Sequence, residues 1–208
     1  MRLCPICNKR PAKRSCPALA SSICSICCAL DRMIKLECPE SCSYLKSGRA
    51  AALEKVFDER ARYIDDHGVP FDNEIPGFGE IMTTIESMII AVLREKFKSL
   101  TDQDVAEGID NVVRTMETQR SGIIYSHQAN TAAAQAVSDS VMEVIDLLKE
   151  RVRSDYGPSG SQLMTIVRAI RQAIAFHMSR STDGRDYLRF TTQFYPYPEK
   201  KESLIIAP

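Results

Sequence analysis

Eight cysteines, all within the first forty-two residues, are the groups in this chain best placed to do chemistry: Cys4, Cys7, Cys16, Cys24, Cys27, Cys28, Cys38 and Cys42. They form a C-x2-C, a lone cysteine, a C-x2-C-C and a C-x3-C. Thiolates at this density call for a metal, and the pairs Cys4/Cys7 and Cys24/Cys27 have the spacing of a tetrahedral zinc site. Eight ligands suit two four-coordinate zincs per chain. The preferred pairing is interleaved, with Cys4, Cys7, Cys24 and Cys27 on one ion and Cys16, Cys28, Cys38 and Cys42 on the other. Adjacent side chains diverge, so Cys27 and Cys28 suit separate metals. One zinc, with the remaining thiols buried as small hydrophobes, is the alternative.

Two other chemistries compete. An iron–sulfur cluster is held by runs such as C-x2-C-x2-C-x3-C, and here the step after Cys24 and Cys27 lands on Leu30. A framework of four disulfides requires an oxidising compartment. The N-terminal stretch has no apolar h-region and no lipoprotein processing site, and the strongest apolar run, Met88 to Leu93, is far short of a bilayer span. The expectation is a cytoplasmic protein with no membrane segment, where clustered thiols serve as metal ligands.

The residues around the cysteines fit that expectation. Cys4-Pro5-Ile6-Cys7-Asn8-Lys9 resembles a zinc knuckle, and Pro39 tightens the turn after Cys38. Residues 1–49 hold nine Lys or Arg against three Asp or Glu, a charge of +6, and the remainder balances it at −6. This excess offsets four-thiolate zinc centres or forms a nucleic-acid patch; both readings stay open. The module resembles cross-brace, treble-clef-type zinc fingers of the broad HIT/MYND/B-box kind, although none of its ligand positions is His and Cys16 has no C-x2-C partner. The stretch RSCPALASSICSICC…IKLECPESCSYL is similar to the start of uncharacterised bacterial proteins that join such a module to a helical region. That resemblance implies zinc and carries no activity.

The elements behind the module read as a mainly α protein: a helical bundle over residues 47–194, preceded by the zinc-binding module at 1–46 and followed by an extended tail at 195–208. Apolar residues recur at helical spacing from Ser47 to a stop at Gly68-Val69-Pro70, then over about 80–98 after a loop at 70–79. Thr101 to Asp104 resembles a capping box and opens a third helix. Gly122 to Tyr125 breaks the period, and further helices are expected over about 129–153, 161–179 and 183–193. Proline-separated tyrosines then lead to the apolar end, Leu204 to Pro208, which suits docking on the chain itself, on a partner protein or within a homodimer.

Searching the body for chemistry yields little. No P-loop, dinucleotide fingerprint, nucleophile elbow or helix-borne His pair is present. His177 lies on an apolar stripe and reads as a core imidazole, and His67 sits where it would cap a helix C-terminus. Glu117, Arg120, Tyr125 and His127 flank the break between two helices and would make an acid/base or anion pocket only if they converged. Trp is absent and aromatics are sparse, which disfavours single-strand stacking. The preferred reading is a non-enzymatic zinc protein that acts as a protein-interaction or adaptor module. A nucleic-acid-binding regulator and a thiol-based redox or metal sensor are the alternatives.

Overall fold

In the computed structural model, residues 2–69, 75–152 and 158–195 are described. The chain divides into two compact units, Met1–Glu59 and Arg60–Pro208.

The first unit has more regular structure than its sequence suggests. A short antiparallel hairpin, β1 (Arg14–Cys16) and β2 (Ser21–Ile23), pairs Arg14 with Ile23 and Cys16 with Ser21. Helix α1 (Ser25–Asp31) follows at once, and Cys24 is its N-cap: Sγ accepts from the Cys27 amide at 3.4 Å. A thiol thus takes the capping role usually held by a Ser or Asp oxygen. Such three-residue strands carry too few alternations for period-2 patterning to register.

Helix α2 (Ser43–Asp66) starts directly after Cys42, four residues before the expected Ser47. The expected boundary at residues 46 and 47 lies inside this helix. Of the apolar residues that recur along this helix at helical spacing, among them Leu53, Val56, Phe57, Ala61 and Ile64, Ile64 is fully buried and Phe57 is exposed. Beyond Asp66, Gly68 takes φ +73° and ends the helix in the left-handed conformation that glycine tolerates. Residues 70–74 of the expected loop lie outside the described residues.

The second unit is a helical bundle. Helix α3 (Phe78–Ala91) buries Ile81, Ile85 and Ile89, then widens into a π-helical turn over Val92–Lys96. Helix α4 (Asp102–Arg120) opens with the expected capping box: Asp104 donates its amide to Thr101 Oγ1 at 3.2 Å, and the Thr101 amide donates to Asp104 Oδ2 at 3.1 Å. Helices α5 (Ala132–Val152) and α6 (Gly160–Arg180) bury Val137, Val141, Leu163, Ile166, Ile170 and others at helical spacing. The α4–α5 approach is close enough that a Cβ on Gly108 would lie 2.7 Å from the Ala134 carbonyl oxygen and 2.8 Å from Val137 Cβ. Helix α7 (Asp186–Thr192) closes the bundle, and the tail from residue 196 lies outside the described residues.

Two polar contacts order this core. Arg60 and Glu86, both buried, pair at 3.2 Å, with the Tyr187 hydroxyl donating to the same carboxylate at 3.5 Å. Asp102, fully buried, accepts from the amides of Tyr187 at 2.9 Å and Leu188 at 3.1 Å, so a side chain from α4 caps the start of α7. Among the described residues, no helix is long and apolar enough to cross a membrane.

Candidate metal centre

Two pieces of backbone build the site. The first is a turn held by three hydrogen bonds: Cys4 donates to the Arg10 carbonyl, Asn8 to the Cys4 carbonyl and Ala12 to the Arg2 carbonyl, at 2.8, 2.8 and 2.9 Å. Asn8 sits at φ +50°, a conformation that asparagine adopts more readily than most residues. The second piece is the β2–α1 junction, which presents Cys24 at the N-cap and Cys27 in the first turn. Together they bring Cys4, Cys7, Cys24 and Cys27 to one place, with all four Sγ atoms within 4.8 Å of one another.

The geometry fits a tetrahedral ion. Zn–S bonds of about 2.3 Å put sulfurs about 3.8 Å apart, and the Cys7 and Cys24 Sγ atoms are 3.9 Å apart. Cys4, Cys24 and Cys27 are buried and Cys7 is half-buried. All eight thiols are free.

Proton affinities of Cys4, Cys7 and Cys27 diverge. Burial pushes the Cys4 thiol up, but backbone groups at Cys24, Cys7 and Ile6 outweigh it and bring it down to about 6. Backbone groups at Lys9, and then Arg10, draw Cys7 down against its burial. Cys27 goes the other way: burial and the sulfurs of Cys24, Cys7 and Cys4 push it up to about 12. Four crowded sulfurs cannot all carry charge without a cation among them. A divalent ion that displaces the thiol protons satisfies them together, which is why thiolate sites bind metal with proton release.

The other four cysteines stand differently. Cys16, Cys28 and Cys42 are buried and Cys38 is half-buried, with Cys16, Cys28 and Cys38 packed in the same small core as the first set. Among the described residues, Cys4, Cys7, Cys24 and Cys27 form the one converging group of metal-binding side chains. Arg32 donates to Cys28 Sγ at 3.9 Å, and its guanidinium lies against α2 where Gly48 leaves room. Arg32 is one of the basic residues that the sequence places near the cysteines; its contact with Cys28, four residues away, is local, whereas its packing against α2 is not legible in the sequence.

Of the residues considered for an acid/base pocket, Tyr125 and His127 meet, while Glu117 and Arg120 have other neighbours. Glu117 pairs with Arg168 at 2.8 Å. Arg120 lines a separate cleft of about 440 Å³ with Gln119, Lys149 and Met164. Tyr125 and His127 meet edge to face at 5.0 Å, and His127 Nε2 lies 3.0 Å from Thr118 Oγ1. His67 stacks on Tyr63 and its Nδ1 lies 2.8 Å from the Tyr63 carbonyl oxygen, at the end of α2 as its position implied. His177 is buried among the rings of Phe176, Tyr187 and Phe190.

The protein is thus a mainly helical chain with a four-cysteine cluster compatible with a metal ion near its N-terminus. No protein-family model, curated protein or solved structure matches it.

Proposed function

We propose that the chain is a non-enzymatic zinc protein in which structural metal holds the N-terminal module in shape for protein interaction, as an adaptor joined to a helical bundle. The observation that carries this reading is the closed character of the Cys4, Cys7, Cys24 and Cys27 set. Four sulfurs fill a tetrahedral sphere and three of them are buried, so no coordination position is left for water or substrate, as a catalytic zinc requires.

Zinc is favoured over an iron–sulfur cluster by the cysteine spacing. A second zinc on Cys16, Cys28, Cys38 and Cys42 completes the reading at two ions per chain. Its support is the make-up of the module's interior. Apart from cysteines, the buried apolar side chains within residues 2–46 are Ile23, Leu36 and Leu45. Three aliphatic side chains bury far too little surface to order such a segment, and metal–thiolate bonds supply the deficit. Arg32 beside Cys28 offsets part of the charge that this second set would carry.

Metal analysis of protein purified without chelator tests this. About two zincs per chain, with ultraviolet–visible spectra lacking iron–sulfur bands, is the expected result. Absence of metal, or iron with sulfide, would overturn it.

A further inference from the structure

We infer that the turn over residues 2–13, with the start of α1 beside it, is a docking surface for an acidic, amphipathic segment of a partner protein. This rests on the adaptor reading above and names the chemistry of its partner.

The apolar half of the surface is exposed in spite of its composition. Ile6 and Ile26 hold equivalent places, each directly before the second cysteine of a C-x2-C pair, and are 40% and 43% exposed. Leu3, near the base of the turn, is 58% exposed, and Leu30, one turn beyond Ile26 on α1, is 67% exposed. The module is short of buried aliphatic side chains, yet these four face solvent. They flank the metal centre, whose four sulfurs tie the two backbone pieces together and keep the anchors in fixed positions. Preorganised anchors of this kind bind at low entropic cost.

Charge selects the partner. Lys9, Arg10 and Lys13 are exposed on the same turn, and among the described residues none has an ion-pair partner. Of the three acids in residues 1–49, Asp31 and Glu40 pair with Lys35 and Arg49. Cations that follow aliphatic anchors along one turn complement a segment that carries both carboxylates and apolar side chains. A two-fold contact between two such turns would set cations against cations, which disfavours a second copy packed the same way. A nucleic acid would use the cations but leave the aliphatic side chains without a stacking role. The module's one aromatic residue, Tyr44, is half-buried with the Arg14 guanidinium over its ring.

The test uses the zinc-loaded full chain. Random displayed peptides are selected on it, and an enriched peptide is titrated against wild type, Leu3→Ser/Ile6→Ser and Lys9→Glu/Arg10→Glu, each checked for metal content. Enriched peptides that carry both Asp or Glu and Leu, Ile or Phe are expected, with about tenfold or greater weakening in each variant and weaker binding at higher salt. Neutral or basic winners, binding unchanged in both variants, or tighter binding to a DNA oligonucleotide in the same buffer would overturn the inference. So would self-association that these variants abolish. Failure with zinc retained counts against this surface alone, whereas a chain without metal removes the underlying reading as well.

Discussion

Acidification tests the bundle through a single side chain, His177. Burial pushes its imidazole down to about 4 from the ordinary 6.5, and the nearby Arg60 and Arg180 guanidinium groups act in the same direction. Its Nε2 is buried without a hydrogen-bond partner. The unfolded chain takes up a proton at this residue near pH 6.5, and the folded chain resists until about pH 4. Stability is therefore present in full above the unfolded value and is lost as pH falls through that window. At about 1.4 kcal/mol per pH unit, the gap amounts to about 3 kcal/mol. Glu86 and Asp102 work against it. Burial raises both carboxyls, so the folded state gains relative stability as they protonate, and the wild-type curve alone is a sum of opposed contributions. The comparison with His177→Leu isolates the imidazole. Urea unfolding followed by far-ultraviolet circular dichroism at several pH values between 7 and 4, as in the window just derived, should show the variant about 1 kcal/mol more stable at neutral pH, since an orphaned polar atom is gone. Its advantage should grow by about 3 kcal/mol towards pH 4. A difference between the two proteins that stays constant with pH would refute the reasoning.

Further substitutions probe how the bundle is held. Gly108→Ala drives a methyl group into the Ala134 carbonyl and Val137 across the α4–α5 contact, and should lower unfolding free energy by about 2 kcal/mol in urea melts. Asp102→Ala strands the Tyr187 and Leu188 amides at the start of α7. A loss of about 2 kcal/mol is expected, with faster amide exchange at those two positions. Arg60→Ala leaves Glu86 buried and unpaired and should cost about 3 to 5 kcal/mol, while Arg60→Met/Glu86→Leu should stay within about 1 kcal/mol of wild type in the same melts. Chelation at neutral pH should release zinc and collapse the amide dispersion of residues 2–42 in NMR spectra, because little but thiols fills that interior.

Much of this architecture can be read directly from residue types and spacing. Two C-x2-C pairs encode a metal site locally, since each pair needs only its own turn to present two sulfurs, and the structure brings those four together. The helices announce themselves through apolar spacing, and the Thr101–Asp104 capping box is a contact three residues long that sequence alone can specify. The β1–β2 hairpin and α1 are too short for periodicity to register, and Cys24 is not a residue type that marks a helix cap.

Tertiary structure decided everything that depends on long-range approach. Asp102 looks like the first residue of its own helix, and only the fold sends its carboxylate to amides eighty-five and eighty-six positions away. Arg60 and Glu86 are ordinary surface-type residues until α2 and α3 pack them against each other out of water. Glu117, Arg120, Tyr125 and His127 cluster along the chain, yet in the fold Glu117 pairs with Arg168, Arg120 lines a separate cleft, and Tyr125 and His127 keep each other's company. Local hydrogen bonds and spacing set turns, caps and ligand pairs. Which side chains lose water together is a property of the packed chain, and that is where the buried charges, the orphaned imidazole and the exposed anchors were determined.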